Sequence, residues 1–446
     1  MKRKFRIKLS VWQFLALGYL SVILIGSVLL VLPFASADGN SVGYLDAFFT
    51  ATSATCVTGL STLNTGADWS LFGQIIILIL IQTGGLGFMT FVSSLFLLFR
   101  HGMGLYERRV LMMAAGSGKY YGLSSLIKRI FIGTGIFELA GALLLCIRFI
   151  PDFGAAQGIY FAVWHSISAF CNAGFDLMGV ASLSAYATDP LVTLTLCALI
   201  ILGGLGFCVW GDVIECKCNI KKFQLNTKVV LFLSTVLLVV STALFMTFEW
   251  DNPSSSRYNF GENLLCALFN ATSPRTAGFY TTSPEALSDS GYLLTLILMF
   301  IGGCSGSTAG GIKVGTFAVI LMGMAAVFRG RRDINIGKKR IEHSLLSQAL
   351  AIFAAFLMIV MLSALIICAI EPSEITVRAV LFECVSALGT VGLSLGVTPQ
   401  LTVYSQIILI ILMYAGRVGI LTLALALGEK RTASEVRKPI DSLLIG

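Results

Sequence analysis

The stretch Gly302–Lys313, GGCSGSTAGGIK, puts five glycines, two serines and a threonine between two apolar runs, Tyr292–Phe300 and Val314–Phe328. A glycine inside a helix costs roughly 1 kcal/mol relative to alanine, so such a cluster within an apolar span needs a purpose. Nucleophilic catalysis is one candidate, because GCSG (Gly303–Gly306) has the form of an intramembrane serine protease motif. A serine nucleophile requires a histidine within hydrogen-bond reach. The only three histidines, His101, His165 and His343, all fall outside the apolar runs. Phosphate binding is a second candidate, but Ile312 separates Gly311 from Lys313 where a phosphate loop needs Gly-Lys-Ser/Thr. Close helix packing accounts for glycines but not for Ser305, Ser307, Thr308 and the following lysine. The remaining reading is a deliberate break in a helix, beside a water-filled path.

Composition supports a membrane setting. Of 446 residues, 56% are hydrophobic and 12% charged, with a mean hydropathy of +0.88. So few charges cannot cover the surface of a soluble chain this long. Apolar runs at Val11–Leu32, Ser70–Phe99, Ile130–Ile147, Pro190–Gly211, Val229–Phe248, Gly291–Phe328, Ser344–Ile370 and Leu401–Gly428 are near the ~20 residues that a bilayer requires. They predict eight spans. The basic residues crowd into alternate connections: the N-terminus, 100–129, 217–228, 329–340 and the tail. The positive-inside rule then makes both termini cytoplasmic. The net charge of +8 is topological, and with no single basic face a nucleic-acid partner is excluded. The eleven cysteines read as small packing residues, and no metal-ligand set accompanies the Cys216–Cys218 pair.

The outward connections contain four short, half-apolar stretches that end in glycine: Gly59, Gly174, Gly278 and Gly392. Roughly 24 to 29 residues later comes a second glycine site, Gly84-Gly85, Gly203-Gly204, Gly302-Gly303 and Gly416. Span, short helix, glycine-ended loop, span is therefore a unit used four times. Non-helical backbone at membrane depth survives where it lines a water-filled cavity, and carbonyl rings can replace a cation's hydration shell. Glycine allows those carbonyls to be aimed, and the short helices direct negative C-terminal ends inward. Arg417, inside the last span, is a functional candidate owed a partner, which the carbonyls and hydroxyls of 302–313 supply. Glu138 is expected to pair between helices. Arg275 would repel a cation, so its side chain is expected to point behind the loop to Glu383 or Glu262.

SATCVTGL, SAFCNAGF, NATSPRTAGF and SALGTVGL, together with GGCSGSTAGGIK and YAGRVGI, resemble the Ktr/Trk/HKT superfamily of potassium transporters, and its KtrB-type membrane subunits most in length and layout. The resemblance covers essentially the whole chain. It implies an all-α integral membrane protein of four covalently linked span–pore helix–span repeats in pseudo-fourfold symmetry: 1–100, 101–215, 216–330 and 331–428, with a cytoplasmic tail at 429–446. Pore loops fall at 44–60, 157–175, 261–279 and 376–393. It implies potassium-filter residues Thr55, Cys56, Val57, Thr58 and Gly59; Cys171, Asn172, Ala173 and Gly174; Arg275, Thr276, Ala277 and Gly278; and Gly389, Thr390, Val391 and Gly392. In that family serine at the first glycine accompanies sodium permeability, so Gly59 favours potassium. The gate is expected to be Gly302, Gly303, Cys304, Ser305, Gly306, Ser307, Thr308, Ala309, Gly310, Gly311 and Lys313, held by Arg417. The resemblance also implies a homodimer in the cell membrane and a cytoplasmic RCK-type ring carrying ATP or ADP, with no cofactor in this chain besides transported potassium and sodium as a candidate activator. A coupled cation transporter with a broken-helix site remains the alternative.

Overall fold

The computed structural model describes residues 10–87, 123–179, 181–252, 258–331, 333–336 and 339–428. Most of the basic 100–129 connection and the tail from 429 lie outside this set.

Among the described residues, four single helices are long and apolar enough to cross a membrane. They are α1 (Val11–Val31), α4 (Leu123–Phe153), α8 (Leu225–Phe248) and α12 (His343–Ile370), the first span of each repeat. Each is followed by a shorter helix, α2 (Tyr44–Cys56), α5 (Ala155–Cys171), α9 (Phe260–Thr272) and α13 (Val377–Gly389). These are too short to cross ~30 Å of hydrocarbon at 1.5 Å per residue, so each must enter and return. The second spans begin at α3 (Leu71–Gly85), α6 (Pro190–Gly204), α10 (Asp289–Phe300) and α14 (Val403–Val418). Local chemistry starts them sharply. Ser70, Asp189 and Ser288 cap their helices by accepting from Gly73 N, Leu191 N and Gly291 N, at 3.3, 2.9 and 3.0 Å. The outer helices of the last two repeats are tied to these starts. Glu249 accepts from Ser288 Oγ at 2.6 Å, and Glu371 from Thr402 Oγ1 at 2.7 Å.

The four repeats close into a ring. The inner helix of each packs against the short helix of the next: α3 on α5, α6 on α9, α10 on α13, and α14 back on α2. Pseudo-fourfold arrangement follows from that cyclic order.

One expectation needs correction. The sequence places a break in the sixth span and reads 190–211 and 401–428 as plain spans, yet these inner spans also break. The 190–211 run bends by 91° between α6 and α7 (Phe207–Glu215), and the 401–428 run bends by 94° between α14 and α15 (Ile420–Leu427). Gly206 and Gly419 sit at these bends with φ of +92°, and Gly87, just past α3, has φ of +82°. A left-handed residue terminates an α-helix, and only glycine adopts it without a Cβ clash. The sixth span itself is non-helical from Ile301 to Lys313 and resumes as α11 (Val314–Phe328). The inner connection after α11 carries a short antiparallel hairpin, β1 (Ile334–Ile336) paired with β2 (Lys339–Ile341).

Candidate functional site: a carbonyl ring under a crossing loop

The short helices end alike. Val57, Asn172 and Thr390 are left-handed caps with φ of 57°, 59° and 50°, and Thr276 has φ of 74°. Two residues on, Gly59, Gly174, Gly278 and Gly392 have φ of 97°, 71°, 77° and 90°. Between them the sign reverses. Alternating the sign of φ flips successive peptide planes, so neighbouring carbonyls face the same side. A β-branched residue with positive φ is an outlier costing about 1–3 kcal/mol, and such strain concentrates at functional sites. Three of these four residues are β-branched.

The expected filter strands start later than supposed in three repeats. Thr55, Cys56, Cys171 and Gly389 belong to the last turns of α2, α5 and α13. The extended part is therefore only about three residues long. It is braced from behind. Ser53 and Ser386 hydroxyls accept from Gly59 N and Gly392 N, both at 3.1 Å, and Ser168 donates to Phe175 O at 2.7 Å.

Space around the four glycines closes the ring. A Cβ on Gly59 would lie 2.6 Å from Ala173 O, and one on Gly174 2.9 Å from Ala277 O. On Gly278 it would lie 2.8 Å from Val391 O, and on Gly392 2.0 Å from Thr58 O. Each glycine thus abuts the carbonyl preceding the glycine of the next repeat, returning to the first. Outward, the four glycines floor an open vestibule of about 320 Å³.

Inward, Gly84, Gly203 and Gly416 do equivalent work. A Cβ there would sit 2.0, 1.9 and 2.1 Å from Thr55 O, Phe170 O and Leu388 O. These glycines let the inner helices press directly against the carbonyls at the C-terminal ends of the short helices. Three residues later come the helix-breaking Gly87, Gly206 and Gly419. The pattern is a glycine for close approach, two residues, and a glycine for the break. GGLG occurs twice in the chain, a signal that sequence reasoning passed over.

In the third repeat this place is taken by the 301–313 loop. Gly302 N donates to Ile312 O at 3.0 Å and Val314 N to Gly303 O at 3.0 Å, pinching the loop at its base. Its body reaches the second repeat, with Cys304 N donating to Gly204 O at 3.0 Å and Phe207 N to Gly306 O at 2.9 Å. Thr308 Oγ1 donates to Phe170 O at 3.3 Å, and a Cβ on Gly310 would strike the Thr390 hydroxyl. The loop therefore lies against the ends of the short helices of the second and fourth repeats. Ser307 Oγ donates to Cys304 O, and Lys313 Nζ to Ala309 O, both at 2.7 Å. Cys304, Thr308 and Ala309 are buried, whereas Ser305 is exposed.

Arg417 ties this loop down. Its guanidinium donates to Thr308 O, to Gly84 O, and to Gly85 O at 3.2 Å. One arginine on the fourth repeat thus bridges the third-repeat loop and the end of the first-repeat inner helix. Negative C-terminal carbonyls suit that charge.

Arg275 differs from expectation. Its partners are Ser234 Oγ at 3.2 Å and Ser234 O at 3.5 Å on α8, and among the described residues no carboxylate pairs with it. The two expected acids are committed locally. Glu383 accepts from Ser394 Oγ, Thr398 Oγ1 and Leu395 N, at 2.5, 2.8 and 3.2 Å. Glu262 accepts from Asn259 N at 2.8 Å in a capping box. Glu138 pairs between helices, with Gln82 Nε2 at 3.0 and 3.3 Å. His165 is held by Phe161 O at 2.7 Å and Leu177 N at 3.5 Å, on the vestibule side.

A multi-pass, all-α membrane protein with four re-entrant helices around a carbonyl ring belongs among proteins that pass cations. The comparisons agree, and the chain belongs to the TrkH family of cation transport proteins, whose model matches residues 14–431. It is 39% identical to the potassium/sodium uptake protein NtpJ of Enterococcus hirae, covering 100% of this chain and 99% of the relative. It is 38% identical to the Ktr system potassium uptake protein B of Bacillus subtilis, over 97% of this chain and 96% of the relative. The crystal structure of the potassium transporter TrkH from Vibrio parahaemolyticus shares the fold, with a TM-score of 0.73 at 20% identity over 96% of this chain and 87% of that one. These relatives are transporters, not enzymes.

The inner glycines yield a prediction. Gly203→Ala should lower cation uptake at least tenfold at unchanged membrane yield, because its Cβ would collide with Phe170 O, a backbone atom. Gly211→Ala, where nothing lies within 4 Å, should be neutral. Equal uptake by both variants would detach the inner glycine from filter geometry.

Proposed function

We propose that this chain takes up potassium across the cell membrane through a channel-like pore, with the four-repeat carbonyl ring as its selectivity filter. The observation carrying this reading is the cyclic packing of Gly59, Gly174, Gly278 and Gly392 against the carbonyls of Ala173, Ala277, Val391 and Thr58. A cation sheds its water only where oxygens surround it, and four repeats give rings of oxygens. In this reading the 302–313 loop is the gate, Arg417 its latch, and both termini are cytoplasmic. Sodium acts as an activator or companion ion; the Enterococcus hirae relative is named for both ions.

The deciding experiment is flux into liposomes with potassium, sodium and proton gradients set independently. Rubidium or potassium should enter down its own gradient without a proton gradient. Strict dependence on a second ion's gradient would favour the coupled transporter instead.

Several relatives, the Bacillus subtilis protein among them, bear the name of a Ktr system, which supports further subunits. We place a second copy of this chain and a cytoplasmic RCK-type ring with ATP or ADP beside it. The connection after α11 supplies part of the docking charge: Arg329 and Arg331 lie there, while Arg340 is engaged with Asp333 at 3.1 Å. The purified chain should be a dimer in detergent. A ring of this type should bind it with a strength that falls as salt rises, since exposed charges are screened over ~8–10 Å at physiological ionic strength. Salt-independent binding would remove the basic connections from the docking surface.

A further inference from the structure

We propose that the Asp176 carboxylate is an outer cation-binding site, which a partly hydrated cation occupies before entering the filter and from which external protons displace it. The inference rests on the pore reading above.

The vestibule supports this in three ways. Its floor is the ring of four filter glycines, so anything bound there stands on the entry route. Among the described residues lining it, Asp176 alone carries a formal charge; the rest present hydroxyls, amides and apolar groups such as Thr62, Asn64, Ser394 and Leu60. Asp176 also follows Gly174 by only two residues, in the segment that leaves the filter, and its Oδ1 accepts from Met178 N at 3.1 Å. That segment is anchored where Leu183 N donates to Tyr280 O at 3.1 Å. The carboxylate is therefore a fixed feature of the mouth, not a mobile surface charge. A carboxylate in a concave, partly desolvated cup attracts cations more strongly than the same charge on an open surface.

Burial pushes the Asp176 carboxyl up to about 6, against the opposing pull of hydrogen bonds that include those from Met178 N and Gly179 N. It is thus charged above that pH and increasingly neutral below it. The other titratable groups around the cup are Tyr280, Glu285 and His165, with Asp46 behind Thr62, Asp68 behind Asn64 and Glu383 behind Ser394. Tyr280 lies close enough to both Asp176 and Glu285 to feel their charge, Glu285 faces Gly396 at the cup's rim, and His165 sits on α5 next to Leu177 N. A tyrosine stays neutral throughout the relevant range.

Rubidium uptake by the full-length chain in proteoliposomes, with only the external pH varied, tests the proposal. Between pH 7.5 and 5 the wild-type apparent KM for external rubidium should rise about tenfold, following loss of the carboxylate, with the maximal rate little changed. Asp176→Asn should show the raised KM already at pH 7.5 and no further rise at pH 5. Asp176→Glu should restore the pH dependence, and Glu285→Gln should keep it. An unchanged inflection in Asp176→Asn overturns the proposal, as does a low-pH effect that falls on the maximal rate. Absence of any rubidium flux from the wild-type protein would instead overturn the pore reading on which it depends.

Discussion

Gly392→Ser is expected to reduce the preference for potassium over sodium by at least tenfold, about 1.4 kcal/mol of discrimination, while the protein still assembles in the membrane. Its Cβ would lie 2.0 Å from Thr58 O, a backbone oxygen that cannot rotate away, and its φ of +90° already excludes most side chains. The same substitution at Gly59, with its nearest carbonyl at 2.6 Å, should do less harm. Gly174 and Gly278, with nearest carbonyls at 2.9 and 2.8 Å, should be the most tolerant. This ranking makes the experiment sharper than a test of any one position. Rubidium uptake in the presence of competing sodium measures it. Wild-type preference in all four serine variants would show that the ring does not select.

The second large effect concerns the crossing loop. Removing Cys304–Ala309 should raise potassium flux while leaving the ring of repeats intact. The deleted residues supply the contacts to Gly204 O, Phe170 O and Phe207 N, and the Thr308 carbonyl that Arg417 holds. None of them belongs to the filter. Arg417→Ala should act in the same direction but more weakly, because the pinch between Gly302 and Ile312 would still hold the loop near the path. Hydrogen bonds to a charged donor are worth roughly 1.5–3 kcal/mol each, so an increase on the order of tenfold is reasonable for the arginine variant. Single-turnover tracer flux into liposomes from protein of matched oligomeric state would measure both. A deletion that assembles normally but conducts nothing would make the loop a binding or structural element.

Much of this architecture was legible in the chain because it is written four times. Repetition exposed the short helices, the glycine ends and their partners in the next span, and hydropathy located the outer spans. What stayed hidden depends on distances between segments far apart in sequence. Nothing near Arg275 announces Ser234, 41 residues upstream, and Glu383 looks available until Ser394 and Thr398 are seen to occupy it. The bends at Gly206 and Gly419 were missed for another reason. Hydropathy stays high through a break, so an apolar run reads as one straight span although its backbone turns by more than 90°. The left-handed Val57 and Thr390 were least legible of all, because β-branched residues ordinarily avoid that conformation.

Gly85, Gly204 and Arg417 each follow the glycine that presses on a carbonyl at the C-terminal end of a short helix. In an assembly of four identical chains, an arginine written once would occur four times around the axis, and a cation would face a fourfold positive collar. Joining the repeats in one polypeptide removes that obligation. A single guanidinium can be placed off-axis on one side, and its opposite neighbours can remain glycine. On the gate reading proposed above, the closed state then needs one latch to release, not a concerted change in four. Covalent linkage thus lets a pore keep the oxygen geometry of a symmetric ring while its control is lopsided, so filter and latch can be altered by mutation independently.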